Sequence, residues 1–184
     1  MMLDYKKLSP TLLFIFGGSG DLNYRKLNPA LYNLFLDNAM PDKFGIVGLA
    51  RSKYSDKDYK KHLKEGIENF SRKKDVNGNW DEFSKHISYM QFDVTDEAHY
   101  DQIAQLAKDK EAEWGTHPAV VFYLAVGPAL VPDIVKNLGR LNICHDTKCS
   151  RIVVEKPFGH DLESAISMNK MLSQYFDEDQ IYRI

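Results

Sequence analysis

The chain has 184 residues, 43% hydrophobic and 27% charged, with a formal net charge of −2 at pH 7. That composition suits a globular domain with a substantial core and argues against disorder and against a global field that would attract nucleic acid. No stretch approaches a membrane span and residues 1–10 lack the apolar run of a signal peptide, so the expected setting is the cytoplasm.

The first expected element is a buried strand, Thr11–Phe16, which runs straight into Gly17, Gly18, Ser19 and Gly20; a helix-competent stretch starts at Asp21 and Leu22. Strand, glycine turn and helix in that order suit a dinucleotide or another phosphate ligand. The turn brings backbone N–H groups close to phosphate, and the helix N-terminus adds partial positive charge. The glycines do not complete G-x-G-x-x-G, whose last position falls on Leu22, or on Asn23 in a shifted register, so taken alone they also fit a plain tight turn. Leu27, Ala30, Leu31, Leu34 and Phe35 form an apolar helical stripe within residues 22–36. Pro29 lies inside it and marks either a kink or a helix start nearer Asn28, a good N-cap.

A second strand, Phe44–Ala50, is followed by Arg51 and Ser52, with no carboxylate before Asp56. Sites selective for NAD place Asp or Glu here to meet the ribose hydroxyls, whereas NADP sites place Arg here to meet the 2′-phosphate. Arg51 offers a planar fork of donors, with Ser19 as a neighbouring hydroxyl, which favours NADP and leaves NAD possible. Without the glycine turn, Arg51 would read as a surface residue at a strand exit. Ser55 to Asp58 resembles a capping box opening a charged helix to about Lys73, and residues 77–79 form a turn. The basic runs Lys60-Lys61 and Arg72-Lys73-Lys74 read as solvated charge.

A third strand is expected at 87–92, then Asp93-Val94-Thr95-Asp96 leading into a helix to about Trp114, and a fourth strand at 119–126, apolar nearly throughout. A helix at 132–141 follows. Cys144 and Cys149 flank His145; with no second ligand pair they do not make a structural zinc site, so no metal is expected and reduced thiols are favoured over a disulfide. The fifth strand, 151–155, delivers Glu155 and Lys156 at its carboxyl end, where open α/β sheets bind ligands. A cis Lys156–Pro157 bond is expected there, and Lys156 could equally be a solvent-facing loop lysine. Asp161 caps a last helix to Tyr175, and residues 181–184 begin a sixth strand. The alternation implies an α/β fold, a doubly wound, mostly parallel Rossmann-type sheet in a single domain, 1–184. Because the chain stops inside a strand, the expectation is a fragment of something longer. An extended short-chain reductase is disfavoured because no Tyr-x-x-x-Lys pair is present.

Taken together, four segments of the chain resemble one family. Gly17–Tyr32, with G-G-S-G-D-L and R-K-L-x-P-A-L-Y, Val47–Ser52 (V-G-L-A-R-S), Phe122–Val126 (F-Y-L-A-V) and, most specifically, Arg151–Ala165 (R-I-V-V-E-K-P-F-G-H-D-L-E-S-A) are similar to the coenzyme domain of glucose-6-phosphate dehydrogenase. The resemblance covers almost the whole chain. It implies that Gly17, Gly18, Ser19, Gly20, Asp21 and Leu22 cradle the coenzyme pyrophosphate. Ser19 and Arg51 match positions that meet the 2′-phosphate of NADP. Lys26 matches a lysine near sugar phosphate and coenzyme, Tyr123 a coenzyme-side aromatic, and Lys156 the lysine shared by coenzyme and glucose 6-phosphate. It further implies that the phosphate-binding motif, the general-base histidine and a C-terminal domain that mediates oligomerisation follow Ile184. On that reading this chain carries no catalytic residue. A naturally short, non-catalytic NADP-binding or regulatory module is the alternative. Two departures stand out: Asn23 replaces the family's usual alanine, and Gly127 replaces the first proline of L-A-x-P-P, which is expected to loosen that loop.

Overall fold

The computed structural model describes residues 8–73, 78–141, 143, 147–157, 159 and 161–184. Cys144, His145, Asn77, Phe158 and His160 lie outside them. Six strands form one sheet: β1 (Thr11–Phe16), β2 (Phe44–Ala50), β3 (Ile87–Gln91), β4 (Ala119–Leu124), β5 (Ser150–Val154) and β6 (Ile181–Arg183). All adjacent pairs are parallel, in the order β3-β2-β1-β4-β5-β6. This is the doubly wound sheet that the alternation predicted. The order reverses between β1 and β4, which opens a crevice at their carboxyl ends.

The helices cover both faces because strand side chains alternate. Phe14, Phe16, Phe122 and Ile152 point to one face, beneath α4 (Glu97–Trp114), α5 (Val131–Leu138) and α6 (Leu162–Tyr175). Ile15, Ile46 and Ile87 point to the other, against α1 (Asn28–Leu36), α2 (Asp56–Phe70) and α3 (Asn79–Ser84), where Tyr32, Tyr59, Leu63 and Phe83 are buried. Local signals start the helices where expected. The Asp58 N–H donates to Ser55 Oγ (3.1 Å), the Ala98 N–H to Asp96 Oδ1 (3.0 Å) and the Ser164 N–H to Asp161 Oδ1 (2.8 Å). The Lys156–Pro157 bond is cis, as expected.

Three expectations are corrected. The first helix does not start at Asn28. It is helical from Asp21, passes through a wide π turn at Asn23–Leu27, closed by the Asn28 N–H on the Asn23 carbonyl, and continues as α1. Pro29 follows directly on this wide turn, where its missing N–H breaks no regular α-helical ladder, and the helix runs on past it. Asn28 is then an internal, buried residue whose Nδ2 donates to the Leu63 carbonyl (3.2 Å). Second, α2 ends at Phe70 rather than Lys73, because Ser71 is extended and its hydroxyl donates to Asn33 Oδ1 (2.9 Å). Third, the stretch after Gly78 (φ +85) is the short helix α3, absent from the sequence reading; it buries Trp80 and Phe83 on one side.

Candidate functional site

Where β1 leaves the sheet, the chain has almost no room. A Cβ on Gly17 (φ +81) would lie 2.2 Å from the Ala125 carbonyl oxygen, and one on Gly18 would lie 2.6 Å from Gly48 Cα. The turn is thus pressed between β2 and the exit of β4, which only glycine permits. The N–H groups of Gly17 and Gly18 both donate to the Leu49 carbonyl (2.9 and 3.0 Å), and that of Gly20 donates to the Gly17 carbonyl (2.8 Å). Those three donors seat the turn. A phosphate is therefore left the Ser19 N–H and the first helical turn at Asp21 and Leu22, whose amides have no partner within the helix.

The end of β2 is held from β3. The Tyr89 hydroxyl lies 2.9 Å from the Ala50 carbonyl oxygen and 2.6 Å from that of Ser52, and Gln91 Nε2 donates to the Arg51 carbonyl (3.3 Å). Three consecutive carbonyls are thus drawn toward β3, and the exposed Arg51 side chain stands at the rim. Ser19 Oγ and Ser52 Oγ are 3.2 Å apart, which joins the glycine turn to the arginine loop. The nearby Asp93 carboxyl is held below its usual range, first by the N–H and hydroxyl of Thr95 and to a lesser degree by the charge of Arg51.

Between these segments is a cleft of about 550 Å³. Ser19, Gly20, Arg51 and Ser52 line its polar side and Phe92, Val94, Val126 and Leu130 its apolar side. An apolar slot with a cationic, N–H-bearing rim fits a flat heterocycle carrying phosphate.

The structure thus gathers Gly17, Ser19, Gly20 and Arg51 around one cleft, with Gly18 behind it. Asp21 is exposed, 3.6 Å from Arg25. Leu22 is half-buried, and Lys26 is exposed on the π turn. Lys26, Tyr123 and Lys156 do not line the cleft. Tyr123 instead donates its hydroxyl to Glu155 Oε1 (2.6 Å), and burial together with that carboxylate pushes the hydroxyl pKa well up. Lys156 is exposed at the end of β5, its N–H bonded to the Ile184 carbonyl (3.0 Å). Asn23, Tyr59 and Tyr89 were not anticipated as parts of the site, although Asn23 is one of the departures noted in the sequence.

Residues 14–184 match the family model described as glucose-6-phosphate dehydrogenase, NAD binding domain. The glucose-6-phosphate 1-dehydrogenase of Bacillus subtilis (strain 168) is 36% identical over 173 residues, covering 94% of this chain and 34% of that protein. That of Leuconostoc mesenteroides is 33% identical over 174 residues, covering 95% and 35%. Among solved structures, the glucose-6-phosphate 1-dehydrogenase from Mycobacterium avium superposes with a TM-score of 0.83 at 32% identity, covering 96% of this chain and 36% of that one. A glucose-6-phosphate dehydrogenase in complex with its substrate glucose-6-phosphate gives 0.84 at 32% identity, with the same coverage. The chain spans about a third of the length of these relatives.

Proposed function

The chain belongs to the glucose-6-phosphate dehydrogenase family, as its NAD-binding domain, and from that premise we propose that it holds NADP(H) in the cleft beside the glycine turn. Gly17, Gly18, Ser19, Gly20, Asp21 and Leu22 seat the pyrophosphate. Ser19 and Arg51 receive the 2′-phosphate. Lys26 lies near the coenzyme and the sugar phosphate, Tyr123 is a coenzyme-side aromatic, and Lys156 is shared by the coenzyme and glucose 6-phosphate. When bound, the nicotinamide supplies a hydride acceptor. The proposed substrate is D-glucose 6-phosphate, oxidised at C1 to 6-phospho-D-glucono-1,5-lactone. Removal of the O1 proton needs a base, which the resemblance assigns to a histidine outside these 184 residues. On its own the chain is therefore proposed to bind coenzyme without turnover. The longer protein is proposed to be a cytoplasmic homo-oligomer in the oxidative pentose phosphate pathway.

The observation that carries the coenzyme choice is Arg51, at the end of a strand with no carboxylate and joined to Ser19 through Ser52. Charge-assisted hydrogen bonds to phosphate predict that Arg51→Ala weakens NADP⁺ binding roughly 10- to 100-fold and leaves NAD⁺ within about twofold. Isothermal titration of the 184-residue chain measures both. Unchanged NADP⁺ affinity would refute the assignment.

A further inference from the structure

We propose that Asn23 and Tyr59 form a clamp behind the glycine turn that fixes the Gly18–Ser19 peptide with its N–H toward the coenzyme's phosphates. The inference rests on the reading above that this turn holds a nicotinamide coenzyme.

Gly17–Gly20 is a β-turn, closed by the Gly20 N–H on the Gly17 carbonyl. The two commonest turn forms differ by rotation of the central peptide, here Gly18–Ser19. That peptide is trans, so its carbonyl and N–H point in opposite directions. The Gly18 carbonyl oxygen accepts from Asn23 Nδ2 at 2.6 Å and from the Tyr59 hydroxyl at 3.0 Å, and Asn23 Nδ2 is also 3.1 Å from the Tyr59 oxygen. Both side chains are buried, at 1% and 0% exposure. With the carbonyl held from behind, the Ser19 N–H faces the cleft that Ser19 lines. A flipped peptide would turn a carbonyl oxygen toward phosphate and aim its N–H at two donors.

Two further observations show space and polarity committed to this contact. A Cβ on Gly48 would lie 2.0 Å from the Tyr59 hydroxyl oxygen, so the strand leaves that position bare for it. Asn23 Oδ1 is buried and finds no hydrogen-bond partner among the described residues. The reverse amide orientation would set two acceptors against each other at Gly18, so the amide is held donor-first at the cost of an orphaned oxygen. Burial also raises the Tyr59 pKa, so the hydroxyl stays protonated to higher pH than a free phenol.

The test titrates the 184-residue chain with NADP⁺ and with NAD⁺. Tyr59→Phe and Asn23→Ala are each expected to weaken binding roughly two- to fivefold, and the double variant more than tenfold, because either bond alone still restrains the peptide. Equal losses for both dinucleotides would assign the Ser19 N–H to the pyrophosphate, and a loss confined to NADP⁺ to the 2′-phosphate; either supports the clamp. Ile67→Val loosens α2 without touching the clamp and should lower the thermal midpoint with affinity unchanged. In NMR spectra the Ser19 amide proton should move downfield on NADP⁺ saturation in the wild type and not in the double variant. Tyr59→Phe keeps the ring packing, so it decides the matter if the double variant does not fold. Wild-type binding with unaltered affinity in the folded variants, or an equal loss in Ile67→Val, overturns the clamp alone. A wild-type chain that binds neither dinucleotide overturns the clamp and the coenzyme reading together.

Discussion

Gly127 holds φ −61° and ψ 148°, a backbone that any residue adopts, and nothing among the described residues lies within 4 Å of where its Cβ would sit. The looseness expected of a glycine at this point belongs to the unfolded chain, which has more conformations to lose. Gly127→Ala should therefore raise stability by roughly 0.4–1 kcal/mol, read as a higher urea midpoint with an unchanged slope. Single residues also mark the limit of what the sequence discloses. Gly17, Ser19 and Arg51 were legible because a strand exit constrains backbone and charge within a few positions. Asn23 was visible only as an odd letter in a motif. Tyr59 and Tyr89 were not legible, since each reads as an ordinary core aromatic, and Tyr59 meets its partner across 41 residues of chain.

Among the elements, strands and long helices were readable because their periods of two and 3.6 repeat often enough to be seen. The six-residue α3 offers less than two turns of pattern, and the π turn breaks the period by which helices are recognised. α6 combines a strong local signal with weak packing. Its Asp161–Ser164 capping box is complete, yet it buries only Leu172 and leaves Leu162 and Ile166 exposed at 77% and 58%. A helix with so few fully buried side chains depends heavily on its cap. Asp161→Ala should cost α6 about 1 kcal/mol, the usual worth of a cap. Amide hydrogen exchange should then quicken about fivefold in α6 while β1 and β4 keep their protection. Uniform acceleration across the sheet would contradict this.

For the molecule as a whole, tyrosines are buried in both cores, and this sets its response to alkali. Burial pushes the hydroxyls of Tyr59 and Tyr100 well above their ordinary pKa. Above about pH 10 the unfolded chain releases these protons while the folded chain keeps them, so stability is full below that pH and falls as pH rises beyond it. Urea midpoints across a pH series should show that decline, with the buried tyrosines ionising only on unfolding. A midpoint that stays level well above pH 10 would count against it. On the acid side, Arg140 and Arg183 hold Glu97 and Glu178 below the usual carboxylate range. Those contributions are present above the ordinary carboxylate pKa and fade as pH drops through the lowered values. The pairs are exposed, so the acid-side change is small.

The wide turn at Asn23–Leu27 bears on how the glycine-turn end of this domain can change. Asn23 and Asn28 are both buried, five residues apart. In an uninterrupted α-helix they would point about 140° away from each other, and one of them would face solvent. The turn acts as a one-residue frameshift within a single helix, so the segment behind the glycine turn and the segment against the core keep separate registers. Each can be altered without rotating the other.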